Sequence, residues 1–141
     1  MQFVKDKDNY ILRLEKGEEI ISTLTQFCKE ENITTGFFSG IGAILSAELA
    51  FYNLFKKEYE LKELSETHEI ASLTGNIALV ENSPFVHIHC VLSNNKFECF
   101  GGHLKNGVVG ATCELHLIKT GTNLERKFDE KIGLKLLDCK A

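Results

Sequence analysis

Apolar positions change period twice along the chain, and the two changes divide it. From Phe3 to Leu14 they alternate weakly around Tyr10, Leu12 and Leu14, the two-residue period of a strand. Between Gly17 and Glu31 the period lengthens. Ile20, Ile21, Leu24, Phe27 and Cys28 recur at helical spacing, while Glu18, Glu19, Gln26, Lys29 and Glu30 fill the other face. Glu18 and Glu19 suit the positive N-terminal end of such a helix. Every later segment reads as β. Thr34 to Ser39 is a short apolar strand that Gly40-Ile41-Gly42-Ala43 is expected to interrupt. Ser46 to Phe55 and Lys57 to Leu64 flank Lys56 as a hairpin. Thr67 to Val80 is a long strand with a bend or bulge expected at Gly75, and Glu81-Asn82-Ser83-Pro84 is a turn. Phe85 to Leu92 and Phe97 to Leu104 pair across Asn94-Asn95, and Val109 to Lys119 follows a turn at Asn106-Gly107. The segment Ile132 to Leu137 is a final short strand or an irregular lid.

One helix followed by strands predicts an α+β domain: a curved antiparallel sheet of about seven strands with the helix packed on one face. The 141 residues suit a single domain, 1–141, with no internal repeat or linker. A composition of 43% hydrophobic and 26% charged residues is that of a globular chain with a real core. Net charge is -4, which argues against a phosphate-tracking surface. The densest basic spots, Lys56-Lys57 and Arg126-Lys127, read as solvated turn or edge residues. No apolar run is long enough for a membrane helix, and the N-terminus lacks the apolar core of a secretory signal. The five cysteines show no CxxC spacing and sit mostly in apolar runs, as reduced core residues of a cytoplasmic protein do.

Candidate chemistry concentrates in one hairpin. In a strand, residues two apart share a face, so His87-Ile88-His89 projects two imidazoles the same way, their Cβ atoms roughly 6.5–7 Å apart. Neutral imidazole is a good ligand for zinc and its first-row neighbours. Whether His103 joins them depends on register. A two-residue turn at Asn94-Asn95 sets His87 opposite Gly102 and turns His103 to the other face. A three-residue loop, Asn94-Asn95-Lys96, sets His87 opposite His103 with all three on one face, and a bulge at Gly101-Gly102 achieves the same. Three protein ligands leave a coordination position open, the pattern of catalytic zinc. Glu114 is a candidate to orient a ligating imidazole, and Glu114 or His68 to transfer protons. His116 reads as a surface or sheet-edge residue. There is no G-x-S-x-G elbow, HExxH or P-loop, and Gly40-x-Gly42 serves a tight turn or close packing.

Four stretches together resemble the PPC (plants and prokaryotes conserved; PCC, PD1-like) domain in its prokaryotic single-domain branch. They are Phe38-Ser39-Gly40-Ile41-Gly42-Ala43, His68-Glu69-Ile70-Ala71-Ser72-Leu73-Thr74-Gly75-Asn76, Pro84-Phe85-Val86-His87-Ile88-His89 and Gly101-Gly102-His103-Leu104. Glu114 and Arg126 also sit where that pattern expects them. The resemblance implies a homotrimer and a metal, zinc or another divalent transition metal, on His87, His89 and His103. It also carries a DNA-binding label from plant members whose domain follows AT-hooks. This chain has no AT-hook and is acidic, so the label transfers poorly.

Three functions stand as expectations. The first is a homotrimeric metal-binding module for a small-molecule ligand or a protein partner, with Gly40, Gly42, Gly101 and Gly102 shaping loops or interfaces. Its apolar stretches Phe37-Phe38, Ile41 to Leu45 and Leu49 to Phe51 exceed what one helix covers. The second is a metal-dependent enzyme acting on a small molecule. The third is DNA binding.

Overall fold

In the computed structural model, which describes residues 1–139, nine strands and one helix follow one another. Residues 140 and 141, the end of the expected domain, lie outside the described residues. The first expected strand is a hairpin: β1 (Gln2–Asp6) turns at Lys7, whose φ is 56°, into β2 (Asn9–Glu15). Tyr10, Leu12 and Leu14 of β2 point into the core and are essentially inaccessible.

Helix α1 (Ile20–Glu30) buries Ile20, Leu24, Phe27 and Cys28, the stripe its period predicts. Glu19 caps it by accepting from the amides of Ile21 (3.1 Å) and Ser22 (2.6 Å). Glu18 is spent differently, on the amino terminus of Met1 at 2.9 Å.

β3 (Gly36–Asn53) runs straight through the glycines expected to break it, with register shifts against β5 between Gly40 and Gly42 and against β7 at Gly42/Ile44, Ile44/Ser46 and Glu48/Leu49. These glycines serve close approach. A Cβ at Gly40 would collide with the Leu115 side chain and the Glu114 carbonyl, and one at Gly42 with the Thr112 carbonyl. β4 (Glu58–Leu64) returns along β3, the turn being tied by Asn53 Oδ1 to the amides of Phe55 and Lys56. β5 (His68–Val80) and β6 (Ser83–Ser93) pair with continuous register from Ser72 to Val80, so Gly75 marks no bulge; the Phe38 ring occupies the space its side chain would need.

β7 (Cys99–Lys119) is likewise one strand, not two. Asn106-Gly107 makes no turn. Gly107 lies under the helix, where a Cβ would sit 3.5 Å from Ile20, and its amide donates to Glu19. The C-terminal segment forms β8 (Glu125–Asp129) and β9 (Leu134–Asp138), an antiparallel hairpin. Merged strands and split ends together change the expected seven into nine, and the α+β class stands.

The ladder returns on itself: β3 pairs with β5, β5 with β6, β6 with β7, and β7 with β3. Val86, Ile88, Cys90 and Leu92 of β6 therefore point into one core shared with α1 and β2. Residues alternating with them face away, and these include His87 and His89.

Candidate metal centre

β6 and β7 are joined by five residues, Asn94 to Glu98, where two or three were expected. Asn94 Oδ1 accepts from the amides of Lys96 (2.9 Å) and Glu98 (3.0 Å), and Phe97 takes a φ of 63°. Ser93 consequently pairs with Cys99, and His89, not His87, lies directly opposite His103. The parity is the one that places all three imidazoles on one face. No Gly101-Gly102 bulge is involved: Gly101 and Gly102 stand opposite Val91 and Cys90 in regular pairing. Gly102 also packs against β3, where a Cβ would come within 2.9 Å of the Ala50 carbonyl.

His87, His89 and His103 each offer a ring nitrogen within 4.8 Å of the others. The ring centroids are 4.9–5.4 Å apart. His89 is exposed; His87 and His103 are half-buried. Burial, followed by the charge of Arg126 and by His103 and His89, pushes the pKa of His87 down to about 4. Burial, then His89, Lys105 and Arg126, does the same to His103, again to about 4. Both rings are therefore neutral near pH 7, the form in which imidazole ligates.

Several neighbours complete the centre. Tyr59 of β4 stacks on His103 at 5.5 Å and 27°, and Lys105 lies 4.7 Å above the Tyr59 ring. Arg126 reaches in from β8. Its Nη2 donates to Asn76 Oδ1 (2.8 Å) and to His87 Nδ1 (3.0 Å), and its Nη1 donates to the Lys135 carbonyl (3.0 Å). The sequence pattern predicts Arg126 and Lys127 together at a solvated edge. Strand alternation separates them, so that Lys127 pairs with Asp138 outside while Arg126 turns inward and is half-buried.

The other candidates lie elsewhere in the chain. His68 is buried, its Nδ1 2.7 Å from the Glu66 carbonyl and its ring against Phe100. It sits on β5 six positions from Thr74, the partner of His89, or about 20 Å along the strand. Glu114 stands on the far half of β7, opposite Arg13 and Ile41, beside Thr112. Neither touches the imidazoles, because both belong to distant ladder positions. His116 is an exposed residue beside Asn9, as expected. Asn76, Tyr59 and Arg126 take the supporting places instead.

The donor set fits a first-row divalent ion. Three ring nitrogens converge, and Nδ1 of His103 is buried with no hydrogen-bond partner among the described residues. One contact opposes it. A guanidinium only donates, so Nδ1 of His87 must accept from Arg126, and a neutral imidazole has one such lone pair. An ion at His87 therefore competes with Arg126 for the same electrons.

Beside the imidazoles lies a cleft of about 320 Å³ lined by Phe37, Thr74, Gly75, Asn76, His87 and His89. Phe37 continues outward into an apolar patch with Ile11, Ile41 and Ile118, each roughly half-exposed, on adjacent strands of the same face. Three of the five cysteines, Cys28, Cys90 and Cys113, are buried free thiols, while Cys99 and Cys139 are exposed. Among the described residues, no helix is long and apolar enough to cross a membrane.

Fold and site together define a sheet-dominated α+β protein with a histidine cluster held on ladder positions. Residues 1–120 match the model of the Plants and Prokaryotes Conserved (PCC) domain, and the chain belongs to that family. A solved structure of a metal-containing protein from Archaeoglobus fulgidus is 39% identical; the alignment covers 96% of each chain with a TM-score of 0.87. A candidate DNA-binding protein from Bacteroides thetaiotaomicron is 30% identical, with 97% of this chain and 96% of that one covered and a TM-score of 0.94. Among curated proteins, the bifunctional protein GlmU of a Synechococcus strain is 28% identical over 124 residues. Those residues are 86% of this chain, which spans only 18% of that relative's length. The family match ends before Arg126.

Proposed function

We propose that this protein is a homotrimeric metal-binding module whose ion, zinc or another divalent transition metal, is held by His87, His89 and His103 and receives a small-molecule ligand. The observation that carries this reading is the convergence of three ring nitrogens within 4.8 Å, two of them on imidazoles kept neutral by their surroundings. The metal-containing relative from Archaeoglobus fulgidus supports it. Such an ion supplies Lewis acidity at a coordination position that three protein ligands leave open. The chain's own part is to fix the imidazoles on paired strands, to hold His103 in place through Tyr59, and to offer the adjoining cleft to the ligand. The apolar patch of Ile11, Phe37, Ile41 and Ile118 supplies the surface for assembly.

Metal analysis of untagged protein, together with thermal unfolding in added zinc, tests this. About one ion per chain is expected, with a zinc-dependent rise in Tm that His87→Ala removes. Protein without metal, and with a Tm indifferent to zinc, would overturn it.

The open position and the cleft also favour a second reading, a metal-dependent enzyme on a small molecule. Hydrolase and lyase substrate screens with and without chelator decide it; turnover insensitive to chelator and to His103→Ala would remove the idea. DNA binding, the label of the Bacteroides relative, is opposed by the net charge of -4. Retention in a gel shift at physiological salt would reinstate it.

A further inference from the structure

We infer that the metal centre is built to take a small carboxylate together with its ion, and that Arg126 is the group that recognises the carboxylate. This rests on the metal-binding reading above. Its starting point is an unbalanced charge. The three hydrogen bonds of Arg126 all end on neutral acceptors, Asn76, His87 and the Lys135 carbonyl. Its Nε is buried with no acceptor among the described residues. The second cation at the site, Lys105, rests over the Tyr59 ring.

A divalent ion adds two positive charges to this half-buried place while all three of its ligands stay neutral. Uncompensated charge of one sign in a partly dry site is costly, and an anion between the ion and the guanidinium relieves it. The hydrogen-bond inventory points the same way. Were either ring nitrogen of His87 to ligate, Nδ1 would no longer have a free lone pair for Arg126, and the Nη2 hydrogen aimed at it would be released. Asn76 and the Lys135 carbonyl still tether the guanidinium beside the ion, now with an unspent donor. A carboxylate could offer one oxygen to the open coordination position and the other to that donor, a charge-assisted hydrogen bond. The 320 Å³ cleft alongside, with Phe37 and Thr74 in its lining, accommodates a short carbon body behind the carboxylate. In the metal-free protein Arg126 acts as a cationic placeholder, and in the loaded protein it becomes the anion site.

Thermodynamic linkage turns this into a measurement. If carboxylate and ion share the site through Arg126, each tightens the other by the same factor. Zinc affinity of the full chain is measured by competition with a chromophoric chelator, alone and in saturating acetate, acetamide or inorganic phosphate at fixed ionic strength. Cobalt loading in parallel reports, by its visible bands, whether the histidines take an ion. For the wild type, acetate should tighten zinc about tenfold, within the range usual for coupled sites, and acetamide should do nothing. Arg126→Gln removes the competitor for His87, so it should bind zinc more tightly than wild type without acetate and show no coupling. Unchanged zinc affinity in acetate overturns the inference, as does coupling that survives in Arg126→Gln. Coupling to phosphate but not acetate overturns the carboxylate assignment. In these cases the cobalt bands persist, whereas their absence removes the metal reading itself and the inference with it. The wild-type comparison needs no variant, so the test stands even if Arg126→Gln folds poorly.

Discussion

Acidification of the metal-free protein should destabilise it through His87 and His103 in a window that ordinary carboxylates do not explain. Both pKa values fall from the ordinary 6.5 to about 4 on folding, chiefly by burial. Between these values the unfolded chain binds protons that the native rings refuse. Stability therefore rises with pH across the window: it is fully present above about 6.5 and lost progressively as pH falls toward about 4. A drop of that size sets a ceiling of about 3.4 kcal/mol per ring. Both rings remain partly open to water, so screening reduces this to about 1–2 kcal/mol each, or about 3 kcal/mol for the pair. Urea unfolding in chelator at pH 7 and pH 4.5, comparing wild type with the His87→Asn/His103→Asn double variant, isolates it, since the surface carboxylates are common to both. The wild type should lose about 2–3 kcal/mol more than the double variant. Equal losses would refute the claim that the fold holds these rings neutral. Added zinc should delay the loss to lower pH, because a ligated nitrogen must release its ion before it can accept a proton.

Three other outcomes follow from the same contacts. His103→Ala should remove both the zinc-dependent rise in Tm and the Tyr59 stack, read by thermal unfolding and by tyrosine near-UV dichroism. Gly75→Ala should cost about 2–3 kcal/mol in urea unfolding, because the new methyl meets the Phe38 ring and the His87 carbonyl; a loss below 0.5 kcal/mol would mean that β5 and β3 can shift apart freely. If the apolar patch mediates the proposed assembly, Ile41→Glu, on a residue 60% exposed in it, should lower the molar mass measured by light scattering without lowering helix or sheet content; an unchanged mass would count against the patch as the assembly surface.

The periodicity of the chain made α1, the core face of β2 and the shared face of His87 and His89 legible, because each follows from a local repeat. Cross-strand facts were legible only to parity. That His103 shares the face was foreseeable; that it stands opposite His89 depends on a five-residue loop in which a phenylalanine takes a left-handed φ, a conformation its chemistry does not advertise. For Gly40 and Gly42 the close-packing reading holds, each lying against a carbonyl of β7, whereas Gly75 and Gly107 read as a bend and a turn but make room for the Phe38 ring and a helix side chain. Glu114 and His68 carry the right chemistry but sit at ladder positions that no local pattern reveals. Arg126 and Lys127 part by strand alternation alone, but only once residues 125–129 are placed in a strand.

Arg126 arrives on the β8–β9 hairpin, which pairs with the main sheet by one parallel bridge between Leu79 and Glu125. Side chains hold it further: Tyr52 donates to the Ile132 carbonyl, Lys57 to the Glu130 carbonyl, Lys135 to Glu81, and Arg126 to Asn76 and His87. The imidazoles, by contrast, stand on long, fully paired strands within the family-matched stretch. The centre thus draws on two pieces of chain, the imidazoles on β6 and β7 and the cation on the β8–β9 hairpin. Displacing that hairpin would strip the centre of its guanidinium while the histidines kept their places.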